Sequence, residues 1–201
     1  MWESTALHIV QYPHPALRHK SKPVRRVDAE LRRMVQTMFE LMYKAKGVGL
    51  AANQVDLPLR LFVVNLKGDP QEGEELVFIN PVLTGGKGNE EAEEGCLSLP
   101  GLYGNVQRPG QAKIAAYDLS GNEITADLSG LAARVVQHEV DHLDGTLFID
   151  RLSETGRMSA REALEEFDVE FQSKRRSGEI PSDEVIAARL AEIERRYCGT
   201  E

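Results

Sequence analysis

Residues Gln137 to Gly145 read Q-H-E-V-D-H-L-D-G, and the fold follows from how this stretch is shaped. His138 and His142 lie four residues apart, with Glu139 directly after the first. On an α-helix, side chains at i and i+4 stack on one face, so both imidazoles can reach a single metal ion. Glu139 sits about 100° further round the helix, within reach of a water on that metal. The pattern suits hydrolysis. Imidazoles hold a divalent ion, an open position holds water, and a carboxylate takes the water's proton.

Working outward, Ser129 is placed as an N-cap, and S-G-L-A-A-R-V-V-Q-H-E-V-D-H-L follows without a proline. Leu131, Val135, His138 and His142 fall at spacings of four, three and four, one helical stripe that reads as core-facing. A lone histidine on such a stripe is usually a satisfied core residue. Two at ligand spacing would each need a separate buried partner, which favours the metal.

A catalytic site of this kind takes three protein ligands. Long-spacer metalloproteases supply the third from a histidine six residues past the second, but Phe148 stands there. Glu162, Glu165 and Glu166 are formal candidates. Cys96, in G-C-L-S-L-P-G, is the more attractive one, because its thiolate is a strong ligand on a segment of small residues that a helix can pack against.

The 201 residues, 41% hydrophobic, suffice for one domain with a real core and an appendage. A net charge of −8 argues against a general nucleic-acid binder. No apolar run reaches membrane-spanning length. The opening M-W-E-S-T-A-L-H-I-V lacks the basic start and apolar block of a signal peptide. With only Cys96 and Cys198, a disulfide framework is not expected, which fits a reducing compartment.

L-H-I-V-Q-Y alternates briefly before Pro13 and Pro15, and His14 between them reads as a loop residue. Asp28 caps a helix expected to run to Lys46 on an amphipathic stripe. Gly47 to Gln54, G-V-G-L-A-A-N-Q, has too little side chain to block a close approach, but it lacks the features of a phosphate or dinucleotide loop. Gln54 offers an amide donor for a developing oxyanion. R-L-F-V-V-N-L and E-L-V-F-I-N-P predict strands. Thr84 to Glu94 predicts a glycine-rich loop with solvated glutamates. A-K-I-A-A-Y-D-L and E-I-T-A-D-L predict a hairpin. Beyond Ser153, helices are expected over 159–174 and from Pro181 to near Tyr197, with 173–181 as a hinge.

G-V-G-L-A-A-N-Q, E-G-C-L-S and Q-H-E-V-D-H-L-D-G, in this order, resemble the three motifs of the peptide deformylases, and Y-P-H-P-A-L-R and L-F-I-D-R fit the same family. The likeness spans residues 8–152. It implies an α+β fold: antiparallel sheets around a central metal-bearing helix, with a helical C-terminus. It implies a catalytic domain over 1–172 and a charged helical tail over 173–201, longer than the commonest form, which can dock on the ribosome.

The resemblance further implies that Cys96, His138 and His142 hold ferrous iron in the cell, with zinc, nickel or cobalt after purification. The substrate would be the N-formyl group of a nascent chain's initiating methionine, in a bacterial cytoplasm. Glu139 would take a proton from water whose pKa the metal lowers from 15.7 to about 7 and pass it to the leaving amine. The Gln54 amide and the Leu97 backbone N–H would meet the oxyanion. The backbone around Gly49 would hold the peptide extended, with Val48, Leu131 and Val135 around the methionine side chain. Neither membrane attachment nor direct nucleic-acid recognition is expected. Another H-E-x-x-H aminopeptidase or amidase is the main rival, and a structural metal site in an interaction protein ranks below it, since Glu139 would have no purpose there. Truncation after Gly178 is expected to spare hydrolysis.

Overall fold

Asp28 accepts a hydrogen bond from the Leu31 N–H at 2.9 Å and starts α1 (Ala29–Lys44). Leu31, Met34, Val35, Met38 and Met42 recur at three and four residues and are all buried. The structure, a computed structural model, describes residues 7–199. The part of the N-terminal leader reading that falls on residues 1–6 lies outside them.

Five strands form one antiparallel sheet in the order β1 (Gly49–Ala51), β2 (Leu61–Val64), β3 (Leu76–Lys87), β6 (Gln111–Tyr117) and β7 (Glu123–Ser129). β4 (Glu90–Cys96) and β5 (Leu99–Arg108) pair as a separate antiparallel ribbon. In β2, L-F-V-V is buried throughout, because both faces are covered. Leu61 and Val63 join the α1 core, whereas Phe62 and Val64 face the other way, into the cluster of α2 (Gly130–Leu143). Side chains alternate across a strand, so two helices can sandwich it. β6 has only one face covered and alternates, with Ala112, Ile114 and Ala116 inward.

The antiparallel α+β architecture, α1, the β6–β7 hairpin and the central helix stand as expected. Four local readings do not. Thr84 to Glu94 is no open loop: β3 continues to Lys87 and β4 begins at Glu90, leaving only a short turn. Leu131 is not in the core but 58% exposed; the sheet-facing stripe of α2 is Ala133, Val136, Val140 and Leu143, and the histidines lie on a second inward face. Residues 7–11 pair in no strand. The helix expected at 159–174 is α3 (Glu154–Ser177), capped by Ser153, which accepts from the Gly156 N–H, and ended by Gly178 at φ 80°. Its K-R-R segment is a last helical turn, where cations suit the dipole, and only a few residues separate it from α4 (Asp183–Tyr197).

Residue 172 thus lies within a continuous helix. α4 returns to the body of the protein: Ile193 and Tyr197 join the α1 core, while Ile186 and Leu190 close over Ala16. The far outliers of the sequence also meet, since Arg18 grips Asp150 through two hydrogen bonds of 2.5 and 3.0 Å. Beside them, Gly145 has φ 74°, and a Cβ there would lie 2.6 Å from the Arg18 carbonyl oxygen.

Candidate active site

Ser129 stands at the N-cap of α2 in an extended conformation, without a side-chain capping bond. From there the helix carries His138 and His142 toward the end of β4. The Cys96 Sγ lies 3.2 Å from His142 Nε2, which lies 3.2 Å from His138 Nε2. The three donor atoms fall within 4.8 Å of one another. Tetrahedral ligands at ordinary Zn–N and Zn–S lengths would be about 3.4–3.6 Å apart, so one sulfur and two imidazole nitrogens here fit a single divalent ion. Glu162, Glu165 and Glu166 lie on α3 outside this cluster.

The thiol accepts from the Gln54 Nε2 and from the Ser98 N–H, each at 3.4 Å. Gln54 is buried, and its Oε1 accepts from the Ala51 N–H at 2.9 Å, which fixes the amide so that its NH₂ faces Cys96 and Ser98. Glu139 is 4% exposed, and its Oε2 has no partner. Burial pushes its carboxyl up to about 7. A Cβ on Gly49 would run into Glu139 Oε1, so β1 can pass this close only as glycine.

Burial and the neighbouring His138 hold the His142 pKa well below its usual value, leaving that ring neutral. For His138, burial opposes protonation, but Cys96, Glu94 and Glu139 outweigh it and raise the pKa to about 10. A cation would displace that proton, so metal uptake releases protons here.

Behind His138 lies a feature the sequence reading passed over. Glu94 is not solvated but buried. Arg108 donates to both its oxygens at 2.6 and 2.9 Å, Arg134 donates to one at 2.6 Å, and His138 Nδ1 lies 3.1 Å from the other. Burial alone would raise the Glu94 pKa, but the His138 and Arg108 hydrogen bonds hold it well below the carboxylate range. Arg108 also binds Asp141 at 2.6 Å, and Arg151 binds Asp141 in turn. Such a carboxylate fixes a ligating imidazole's orientation and raises its basicity. One signal was available: Glu94 and Cys96, two apart on a strand, must share a face.

In front of these groups opens a cavity of about 780 Å³. Val48, Gly49, Gln54, Cys96, Leu97, Leu131, Val135, His138 and Glu139 all line it, while His142 sits behind. Exposed Leu131 is therefore a rim residue of the cleft. Leu102 and Tyr103 of β5 line it too, although the sequence reading did not single them out.

An H-E-x-x-H helix, a converging thiol and a cleft open on the glutamate side define the class: a hydrolase built around a metal-ligating helix. The polypeptide deformylase family model matches residues 6–158, and the chain belongs to that family, whose members are metal-dependent enzymes that remove the N-formyl group from nascent polypeptides. It is 52% identical over 193 residues to a peptide deformylase of Rhodopirellula baltica, covering 96% of each chain. It is 44% identical to the chloroplastic/mitochondrial peptide deformylase 1B of Arabidopsis thaliana, covering 92% of this chain and 67% of that one. A plant peptide deformylase crystal structure superposes with a TM-score of 0.82 at 42% identity, over 91% of this chain and 98% of that one.

Proposed function

We propose that the chain deformylates the initiating formyl-methionine of nascent polypeptides, with Cys96, His138 and His142 holding one divalent ion, ferrous iron in the cell and zinc, nickel or cobalt as substitutes. One observation carries this reading: a sulfur and two ring nitrogens converge where Glu139 and the Gln54 amide face one cleft. The bound cation supplies Lewis acidity and makes water a nucleophile near neutral pH. Glu139 accepts the proton of the attacking water and returns it to the leaving amine. The Gln54 NH₂ and the Leu97 backbone N–H donate to the oxygen that gathers charge. The Gly49 backbone holds the peptide extended, and Val48, Leu131 and Val135 take the methionine side chain. A narrow space at the metal would admit a formyl hydrogen and clash with a bulkier acyl group, which would separate formyl groups from internal peptide bonds. Release of formate from formyl-Met peptides, with unformylated peptides uncleaved, tests the reading against an aminopeptidase.

Replacing Cys96 by serine should weaken metal retention by more than the roughly 10–100-fold that loss of a ligand's hydrogen-bond partner costs. Metal per chain after dialysis against a chelator checks this, and unchanged content would move the third ligand elsewhere. The acid limb of kcat/KM should fall between pH 4.5 and about 7, since burial raises Glu139 toward 7 and a nearby cation lowers it. Below its pKa the carboxyl is protonated and cannot accept a proton, so activity drops as pH falls. A profile flat down to pH 4.5 would exclude Glu139 as the base.

The division at residue 172 is one of role, since every candidate site residue precedes it. Ribosome contact through the C-terminal helix belongs to the same proposal, supported by exposed Arg195 on α4 and by exposed Arg176 at the end of α3. We place the activity in a bacterial cytoplasm. No helix among the described residues is long and apolar enough to cross a membrane.

A further inference from the structure

Back to back with the catalytic cleft lies a second cavity of about 530 Å³, which shares only Ile9 and Gln11 with it. Its size is that of small-molecule sites. Phe167 and Phe171 of α3 and Ile180 of the turn before α4 give it an apolar wall. His14 faces it from the N-terminal segment, 5% exposed, its ring edge-on to Phe171.

The His14 Nδ1 accepts the Ala16 N–H at 3.2 Å, so the proton of the neutral ring sits on Nε2. That N–H has no hydrogen-bond acceptor among the described residues. Burial, then Arg189, lowers the ring's pKa to about 4, so it remains a neutral donor at physiological pH. Arg189 pairs with Asp56 through a terminal nitrogen and keeps a buried Nε without an acceptor. The other titratable side chains facing the cavity include His8, Lys174, Glu170 and Glu179. Lys174 is paired with Glu170 at 2.6 Å, and Glu179 is exposed to solvent. Buried N–H donors left unmade are costly, and a ligand oxygen relieves that cost. No step of deformylation uses these residues.

We propose that this cavity binds a small amphipathic carboxylate, with its head on the His14 Nε2–H and the Arg189 Nε–H and its apolar tail against Phe167, Phe171 and Ile180. The site is independent of the catalytic reading. 3-Phenylpropionate and its methyl ester, titrated calorimetrically into the metal-loaded full chain, test it. The acid should saturate one site, and both the ester and the acid on His14→Phe should bind about tenfold more weakly or worse. Ile180→Trp, which fills the cavity and leaves the Ala16 cap intact, should abolish binding even if His14→Phe does not fold. Acid binding that survives Ile180→Trp would place the carboxylate on the catalytic cation and overturn the proposal. Equal binding of the ester, or no binding of the acid up to about 10 mM, would overturn it as well.

Discussion

Replacement of Glu139 by glutamine should leave metal content unchanged and lower kcat by about 10²–10⁴-fold, the usual worth of a positioned general base. Glutamine has the same shape, so it fits where the side chain crowds Gly49 and leaves Cys96, His138 and His142 undisturbed. What it loses is the ability to take a proton. The same exchange should not destabilise the fold. A carboxyl whose folded pKa is raised from 4.5 to about 7 disfavours the native state as pH climbs through that window. A neutral amide escapes this penalty, so the melting temperature of Glu139→Gln at pH 8 should equal or exceed the parent's. Formate release, metal analysis and thermal melts check the three claims together. Near-normal turnover would assign the base elsewhere, and lost metal would mean that Glu139 is a ligand.

Legibility divides along a physical line. Features written in contiguous residues were readable: the capped α1 stripe, the β6–β7 hairpin and the i, i+4 histidines. The convergence of Cys96 on those histidines came partly from chemistry, which asked for a third ligand, and partly from a resemblance across three motifs. Features set by distant partners were not readable. Glu94 looks like any glutamate in an acidic run, and only the Arg108 and Arg134 guanidiniums, brought over by β5 and α2, turn it into a buried brace. Leu131 continues the histidine stripe in register, yet the cleft opens at its end of the helix and leaves it exposed. Backbone pairing explains the missed strands, because a glycine- and glutamate-rich segment has low strand propensity and still completes a ladder when a partner edge is supplied.

The tail is where structure reverses expectation most, and truncation after Gly178 should show it. Read as sequence, residues 179–201 are charged and dispensable. Folded, Ile186, Leu190, Ile193 and Tyr197 are all buried, and burying one such side chain stabilises by about 1.5–3 kcal/mol. Glu194 adds hydrogen bonds of 2.7 Å to His19 and 2.5 Å to Lys22, holding the segment that precedes α1. Ordering the helix costs entropy, so the net loss on removal is smaller than the summed burial. Even a net 3–5 kcal/mol is a large part of a domain's stability of about 5–15 kcal/mol. At about 2–4 °C per kcal/mol for a chain of this size, the melting temperature should drop by roughly 10 °C or more. The loss should also reach the site. Arg189 of α4 pairs with Asp56, the left-handed residue that ends the 3₁₀ turn carrying Gln54. Any truncated protein that does fold should therefore turn over formyl peptides more slowly while keeping its metal. A truncated chain melting within about 3 °C of the parent, with unchanged kcat, would show that α4 braces neither the core nor Gln54.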